Sequence, residues 1–320
     1  MEEMRSLWRW LDDNGFDWIS AWDHIYEAPN EGGITPHYEA VATLAALACD
    51  TTNARLGCLV FYVGYRNPGL LAKAAVTIDH LSNGRFELGL GGGWHEWEAE
   101  AYGYDFPGVG VRLDMLAEAV ELISALNNTG TSADSSNGPA TGQPDDGEPP
   151  RVTYKGKHFR LEAASFLPPA TYGSLPIWIG GIGRNRTLPI AAKWADGWNA
   201  AYISPEAFAD LNRHLDRLCE DNGRDPGEIE RSINVLFGMG LDAADAKAAE
   251  TRILDGWGAM TERVRGGALL GTPEQVVEHL QAYREAGADM INIALRVPFD
   301  QEVLEAYRDV VMPAVRSADG

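Results

Sequence analysis

The residues best suited to chemistry stand where apolar runs end in glycine. Over 86–98 the chain reads FELGLGGGWHEWE: an apolar run, then Gly91, Gly92 and Gly93, then Trp94, His95 and the acids Glu96 and Glu98. Glycine lets backbone approach a planar group and adopt φ > 0, and loops of this kind carry many ligand contacts. A tight strand-to-helix turn without a ligand would use glycine in the same way. A second such stretch, LPIWIGGIGRNRTLPIAAKWADGWN over 175–199, places Gly180, Gly181, Ile182 and Gly183 before Arg184, Asn185 and Arg186. Leu188, Ala191, Ala192 and Ala195 recur at helical spacing. A helix start offers free N–H groups that favour a phosphate, and arginine strengthens the attraction. The spacing is neither a Walker loop nor a GxGxxG fingerprint, so a phosphate site and a plain turn both remain open.

A third place is the end of FDWISAW, where Asp23 and His24 follow an apolar stretch. Histidine titrates near neutrality, which suits His24 to proton handling; the ring could instead hold Asp23 or the backbone. Trp22, Tyr62, Trp94 and Trp97 offer walls for an apolar substrate, although several of the ten tryptophans must serve the core. Helical spacing is expected to turn Glu96 and Glu98 to solvent. His24, His37, His80 and His95 show no ligand spacing that closes a metal site, which leaves a metal hydrolase with little support.

The elements that must position these residues alternate. An amphipathic helix over 3–14 feeds the strand that ends at Asp23. Helices at 38–49, 69–81 and 112–126 then alternate with strands at 55–62 and 85–90. In the helix at 112–126, Leu113, Leu116, Ala117, Val120 and Ile123 form one apolar stripe. Residues 127–150 are rich in Gly, Ser, Pro and Asp and read as a mobile surface insertion in one domain spanning 1–320. VTYKGKHFRL predicts a small hairpin. Strands are expected at 176–180, 197–201, 231–237 and 290–295, with helices at 205–220, from Thr272 to a stop at Gly287, and after Asp300. Such alternation argues for a parallel sheet with helices outside, and its count points to a closed (β/α)8 barrel, with a doubly wound open sheet second. Seven barrel strands are found and the chain opens inside a helix, so the first strand is expected to be missing from the chain.

A chain of 320 residues with 45% hydrophobic content can bury a sizeable core. Its formal charge of −21 argues against nucleic acid and anionic membranes as partners. An anionic cofactor would then need a local positive spot, for which Arg184, Arg186 and Arg66 are candidates. Cys49, Cys58 and Cys219 are odd in number and lack CxxC spacing, which fits a reducing compartment. The first residues lack the pattern of a signal peptide and no segment approaches a membrane span, so a cytoplasmic protein is expected.

The combined segments resemble the bacterial luciferase-like flavin and deazaflavin oxidoreductases. GFDWISAWDH is similar to the family's second strand. RLGCLVFYVGYRNPGLLAKAAVTIDHLSNGRFELGLGGGWHEWE is similar to its third and fourth strands, and 112–126 and LPIWIGG to ADGWN to its later helix and phosphate-binding turn. The resemblance is closest to members that use the deazaflavin coenzyme F420 and runs from residue 3 to about 200, more loosely beyond. It implies a TIM barrel of luciferase-like type with the cofactor at the strands' C-terminal ends. It also implies a non-proline cis peptide at the Cys58-Leu59 step, Asp23 and His24 beside the ring, Gly92, Gly93 and Trp94 along its edge, and Gly180, Gly181, Ile182, Gly183 and Arg184 around the phosphate. Trp94 stands where some sugar-oxidising relatives carry an acidic glutamate, which puts their substrate and proton donor in doubt here.

The implied activity is hydride transfer between F420 and a small organic substrate, with Asp23 and His24 as the catalytic pair. An FMN-dependent monooxygenase is the alternative, and a flavin- or deazaflavin-binding protein without turnover the second. A homodimer is left open, and no metal is expected.

Overall fold

The computed structural model describes residues 1–26, 35–130, 141–142, 150–295 and 299–316, grouped in two compact units. The first is Met1–Gly180 with Trp194–Asp196, the second Gly181–Lys193 with Gly197–Gly320.

In the first unit α1 (Glu2–Asp13) leads into β1 (Trp18–Ala21), followed by α2 (Ala40–Asp50), β2 (Arg55–Cys58), the short β3 (Phe61–Tyr62), α3 (Pro68–Ser82) and β4 (Phe86–Gly91). Helices α4 (Glu96–Ala101) and α5 (Val109–Asn127) come next, then β5 (Thr141–Gly142), β6 (Arg151–Lys155), β7 (Arg160–Ser165) and β8 (Ile177–Gly180). Strands β1, β2, β4 and β8 pair side by side in parallel, and β3 pairs with the last residues of β4. Parallel order brings every C-terminal strand end to one edge of the sheet, so the segments after Ala21, Cys58, Gly91 and Gly180 emerge together. Leu56, Phe86, Leu88 and Leu90 are buried; of the stripe expected on α5, Leu116, Val120 and Ile123 are buried while Leu113 and Ala117 are half-buried, and Ala119, Leu122 and Leu126 are buried beside it.

Polar contacts hold the frame at the opposite edge. Asp50, at the end of α2, accepts from Arg5, Trp8 and Arg9 of α1 at 2.7–2.9 Å. Asp12 accepts the N–H groups of Thr52, Asn53 and Ala54 just before β2. The expected hairpin is antiparallel β6–β7, its turn held by Glu118 of α5 through the N–H groups of Lys157, His158 and Phe159. Of the insertion expected at 127–150, residues 131–140 and 143–149 lie outside the described residues.

In the second unit α6 (Thr187–Trp194) precedes β9 (Gly197–Ala201), α7 (Pro205–Asp221), β10 (Glu230–Met239), α8 (Ala243–Leu254), α9 (Thr261–Gly266) and β11 (Ala268–Gly271). There follow α10 (Pro273–Glu285), β12 (Met290–Ala294), α11 (Gln301–Ala306) and α12 (Met312–Arg316). Strand β10 pairs in parallel with β9, β11 and β12. Thr272 and Gln275 form the expected capping box, and Gly287 has φ 90°. The elements α8, α9 and β11 were not expected: Leu236, Ile253, Leu254, Trp257, Val264 and Ala268 make a buried cluster of their own there.

Seven strands, β1, β2, β4, β8, β9, β10 and β12, stand where the sequence places barrel strands. Among the described residues none precedes α1.

Candidate functional site

Asp23 and His24 leave β1 at the edge where the strands end, and each is fixed by a different partner. Asp23 is buried and accepts from Tyr62 N–H at 3.1 Å and Arg66 Nη1 at 2.7 Å. Burial pushes its carboxyl up to about 6, although Arg66 and the Tyr62 N–H pull the other way. Arg66 is thereby committed to Asp23 and, at 2.5 Å, to Glu39. It is not the spare positive spot that its charge suggested.

His24 Nδ1 lies 2.6 Å from Glu98 Oε1. Glu98 is only 2% exposed, which corrects the expectation of a solvated face. The cause is α4, which starts at Glu96 behind the N-cap His95 and turns Glu98 back toward β1. Its second oxygen accepts from Ile25 N–H at 2.8 Å and Tyr26 N–H at 3.2 Å. Burial favours the protonated acid, but His24 and these N–H groups outweigh it and hold the carboxyl below its ordinary range. The His24 ring meets Trp22 and Trp94 edge to face at 5.5 and 5.3 Å, with His95 at 5.7 Å. Trp94 is 49% exposed, so its ring lines an open side of the imidazole. Of the other expected wall residues, Tyr62 is buried against Tyr65 and Phe106, and Trp97 lies against Tyr26.

Between β2 and β3 the non-proline cis peptide is Leu59–Val60, one step beyond the expected Cys58-Leu59. Leu59 N–H donates to Ala21 O at 3.0 Å, tying this bend to the end of β1. Cys58 is buried, and burial pushes its thiol up. The neighbouring glycines serve this bend: a Cβ on Gly91 or Gly180 would stand 2.4 or 2.5 Å from the Val60 side chain. Gly93 has φ 69°, and a Cβ there would stand 2.6 Å from the Tyr62 ring. Much of the bareness read as room for a ligand is filled by this chain's own side chains.

A cation that sequence reasoning missed lies beside the glycine run. Arg112, on the first turn of α5, donates Nε to Gly92 O at 3.0 Å and Nη1 to Pro107 O at 2.5 Å, and lies over the Phe106 ring at 3.9 Å. Among the described residues it has no carboxylate partner. Its charge in an acidic chain was the available signal, but only folding brings it to Gly92.

In the second unit Gly181 has φ 132° and donates its N–H to Asn199 O at 2.9 Å, while Trp198 Nε1 donates to Gly181 O at 2.8 Å. A Cβ on Gly183 would stand 2.8 Å from Thr187 Oγ1, the first residue of α6. Arg184, expected in the helix's opening turn, lies before α6 and pairs with Asp210. Thus Asp23, His24, Cys58, Leu59, Gly92, Gly93, Trp94 and Gly180 gather at the strand ends of the first unit. Gly181, Ile182, Gly183 and Arg184 form one turn of the second.

Parallel strands flanked by helices, with a histidine and carboxylate pair at the strand ends of the first unit, are an α/β frame with a candidate site at its C-terminal edge. The luciferase-like monooxygenase family model matches residues 1–260, and the chain belongs to this family. A Mycobacterium tuberculosis protein named as a coenzyme F420-dependent oxidoreductase is 33% identical over 208 residues, 64% of this chain and 52% of its own length. The chain therefore spans about half of that relative. The F420-dependent glucose-6-phosphate dehydrogenase of Nocardia farcinica is 24% identical over 336 residues, covering 96% of this chain and 91% of its own. A solved F420-dependent secondary alcohol dehydrogenase with an F420-acetone adduct is similar with a TM-score of 0.80 at 18% identity, covering 98% of this chain and 95% of that one. That likeness shows the fold, the luciferase-like TIM-barrel type. Among the described residues no helix is long and apolar enough to cross a membrane.

Proposed function

We propose that this chain is an F420-dependent oxidoreductase that moves a hydride between the deazaflavin and a small organic substrate, with His24 taking and returning the substrate's proton. The observation that carries the reading is His24 itself. One ring nitrogen is fixed at 2.6 Å from a buried carboxylate, and the other has no hydrogen-bond partner among the described residues. Two indoles flank it at the edge where the parallel strands end.

The residues fit an anionic deazaflavin by the chemistry of their donors. Arg112 brings beside Gly92 a charge that has no carboxylate partner among the described residues. F420, when bound, supplies a two-electron hydride carrier that reacts poorly with oxygen. Arg112, Gly92, Gly93 and Trp94 would hold it. Asp23 acts through structure, fixing the Tyr62 N–H and Arg66 beneath the site.

In the direction of alcohol oxidation, the substrate O–H bond breaks and its proton passes to His24 Nε2. The deazaflavin, if bound, would supply the acceptor for the hydride of the adjacent C–H bond, and the chain's own part is the proton taken at His24 Nε2 as the carbonyl forms. The imidazole suits this because Glu98 fixes Nδ1 and leaves Nε2 without a hydrogen-bond partner among the described residues. Trp22 and Trp94 line the ring with apolar surface, which favours an apolar substrate. The free cysteines Cys49, Cys58 and Cys219 fit a cytoplasmic setting.

The test is a fluorescence titration of the protein with F420 and with FMN, followed by a screen of secondary alcohols and ketones. Selective F420 binding with substrate-dependent change at the deazaflavin absorption band supports the reading. Preference for FMN with oxygen consumption replaces it with a flavin monooxygenase, the reading the family name favours. Binding without any redox change replaces it with a cofactor-binding protein.

A further inference from the structure

We infer that Glu98 is the positioning residue of the site: it sets which nitrogen of His24 carries the proton and leaves Nε2 as the atom that meets the substrate. This rests on the proton-handling role proposed for His24. The argument starts from what Glu98 is offered. Its carboxylate faces His24 Nδ1 at 2.6 Å, Ile25 N–H at 2.8 Å, Tyr26 N–H at 3.2 Å and the Tyr65 hydroxyl, and it is almost wholly removed from water. The Ile25 and Tyr26 N–H groups can only donate. An ionised carboxylate can only accept. The Nδ1–Oε1 contact therefore requires the hydrogen on Nδ1, and a neutral imidazole with Nδ1–H has a bare, basic Nε2.

The same contact stabilises the ring once Nε2 has taken a proton, because the positive charge then lies against a buried anion. The other groups around the ring do not displace Glu98 from this role. Asp23 is committed to Arg66 and Tyr62, and Trp22 and Trp94 present ring edges or faces. His95 lies 5.7 Å away ring to ring, and its Nδ1 accepts from Glu98 N–H at 3.4 Å. Among the phenols, burial and the neighbouring Glu98 carboxylate push Tyr65 up, so it stays neutral, and Tyr26 meets Trp97 and Tyr102. Glu98 reaches the substrate through His24 and not directly.

Glu98→Gln separates positioning from mere packing, since it keeps the shape and removes the charge. The N–H groups of Ile25 and Tyr26 still demand an acceptor, so the amide oxygen turns to them and the NH₂ group faces His24 Nδ1. The ring must then carry its hydrogen on Nε2, where it cannot act as a base. Long-range ¹H–¹⁵N spectra should show His24 as Nδ1–H in the unaltered protein and as Nε2–H in E98Q. With F420 and a turned-over alcohol, E98Q should lose at least 100-fold in kcat with KM changed less than threefold, and Glu98→Asp should restore part of it. An Nε2–H ring in the unaltered protein, or an unchanged ring and kcat in a folded E98Q, overturns the proposal. If E98Q does not fold, the tautomer in the unaltered protein and the kcat of E98D decide it. An Nδ1–H ring that switches in E98Q, in a protein without F420-dependent turnover, would uphold the pair and sink the proposed function separately.

Discussion

Arg66 bridges two carboxylates of unlike surroundings: its Nη1 lies 2.7 Å from Asp23 Oδ2, in the core behind His24, and its Nη2 lies 2.5 Å from Glu39 Oε1 near the surface. Glu39 also caps α2 through Ala42 N–H at 2.7 Å. One guanidinium thus joins the end of β1, the start of α2 and the segment after β3.

This bridge makes stability depend on pH in a definite direction. Burial pushes Asp23 up to about 6, above its ordinary 3.8, so the folded chain holds a proton that the unfolded chain has already released. The stabilisation from that proton is complete below about pH 4 and is lost as pH rises through about 6. For a shift of this size the change is on the order of 3 kcal/mol. Denaturant unfolding of the unaltered chain and of Asp23→Asn from pH 4 to 7 should give a difference that moves against the unaltered chain as pH rises. A difference moving the other way would mean that Arg66 outweighs burial.

Asp50 works in the opposite sense at the other edge. Arg5, followed by burial and by Arg9 and Trp8, leaves its carboxyl well below the usual range. Its stabilisation is therefore present above about pH 4 and is lost as pH falls below that. The two arginines are about 40% exposed, which limits the effect, and Asp50→Asn should cost about 1 kcal/mol. Because Asp50 is the partner shared by Arg5, Trp8 and Arg9, hydrogen exchange should quicken in α1 before it quickens in β2. Equal protection of α1 in both proteins would assign its docking to Trp8 and Leu11 packing alone.

Gly91 and Gly180 stand on neighbouring strand ends, and the Val60 side chain occupies the space a Cβ would need at both, 2.4 and 2.5 Å away. Either alanine substitution should cost about 1–3 kcal/mol through overpacking. Val60→Ala should recover more than half of that loss in the double variant, because the clash is with a side chain and not with backbone. Additive losses in thermal or denaturant unfolding would point to strain elsewhere in the strands.

The strands and helices were legible because apolar periodicity and caps are local: Leu116, Val120 and Ile123 of the α5 stripe and the Thr272 to Gln275 box fell where the sequence puts them. Glu98 was not. Spacing alone placed it on a helix face, and only the direction in which α4 leaves Trp94 turns that face toward β1. The glycines were legible as bare backbone, but what fills the space, Val60 or Tyr62, depends on strands distant in sequence. The cis peptide fell one residue from expectation because nothing in CLVFY distinguishes adjacent steps. The second-unit elements α8, α9 and β11 escaped because alanine-rich ADAKAAETRIL has little apolar contrast until Leu236 and Trp257 cover it.

Arg112 carries the prediction that most directly joins structure to binding. Its guanidinium is held by two carbonyls and the Phe106 face, so it arrives oriented and needs little further ordering to meet an anion. In a chain of formal charge −21 a cation with no carboxylate partner among the described residues is also a local reversal of sign. Arg112→Ala should weaken F420 binding at least tenfold, about 1.4 kcal/mol, and flatten the dependence of Kd on salt. Arg112→Lys keeps the charge but loses the planar fork, so it should recover only part of the affinity. Fluorescence titrations at two ionic strengths provide both readings. If both variants bind F420 as the unaltered chain does while unfolding at lower temperature, Arg112 serves only to hold Gly92 and Pro107 together.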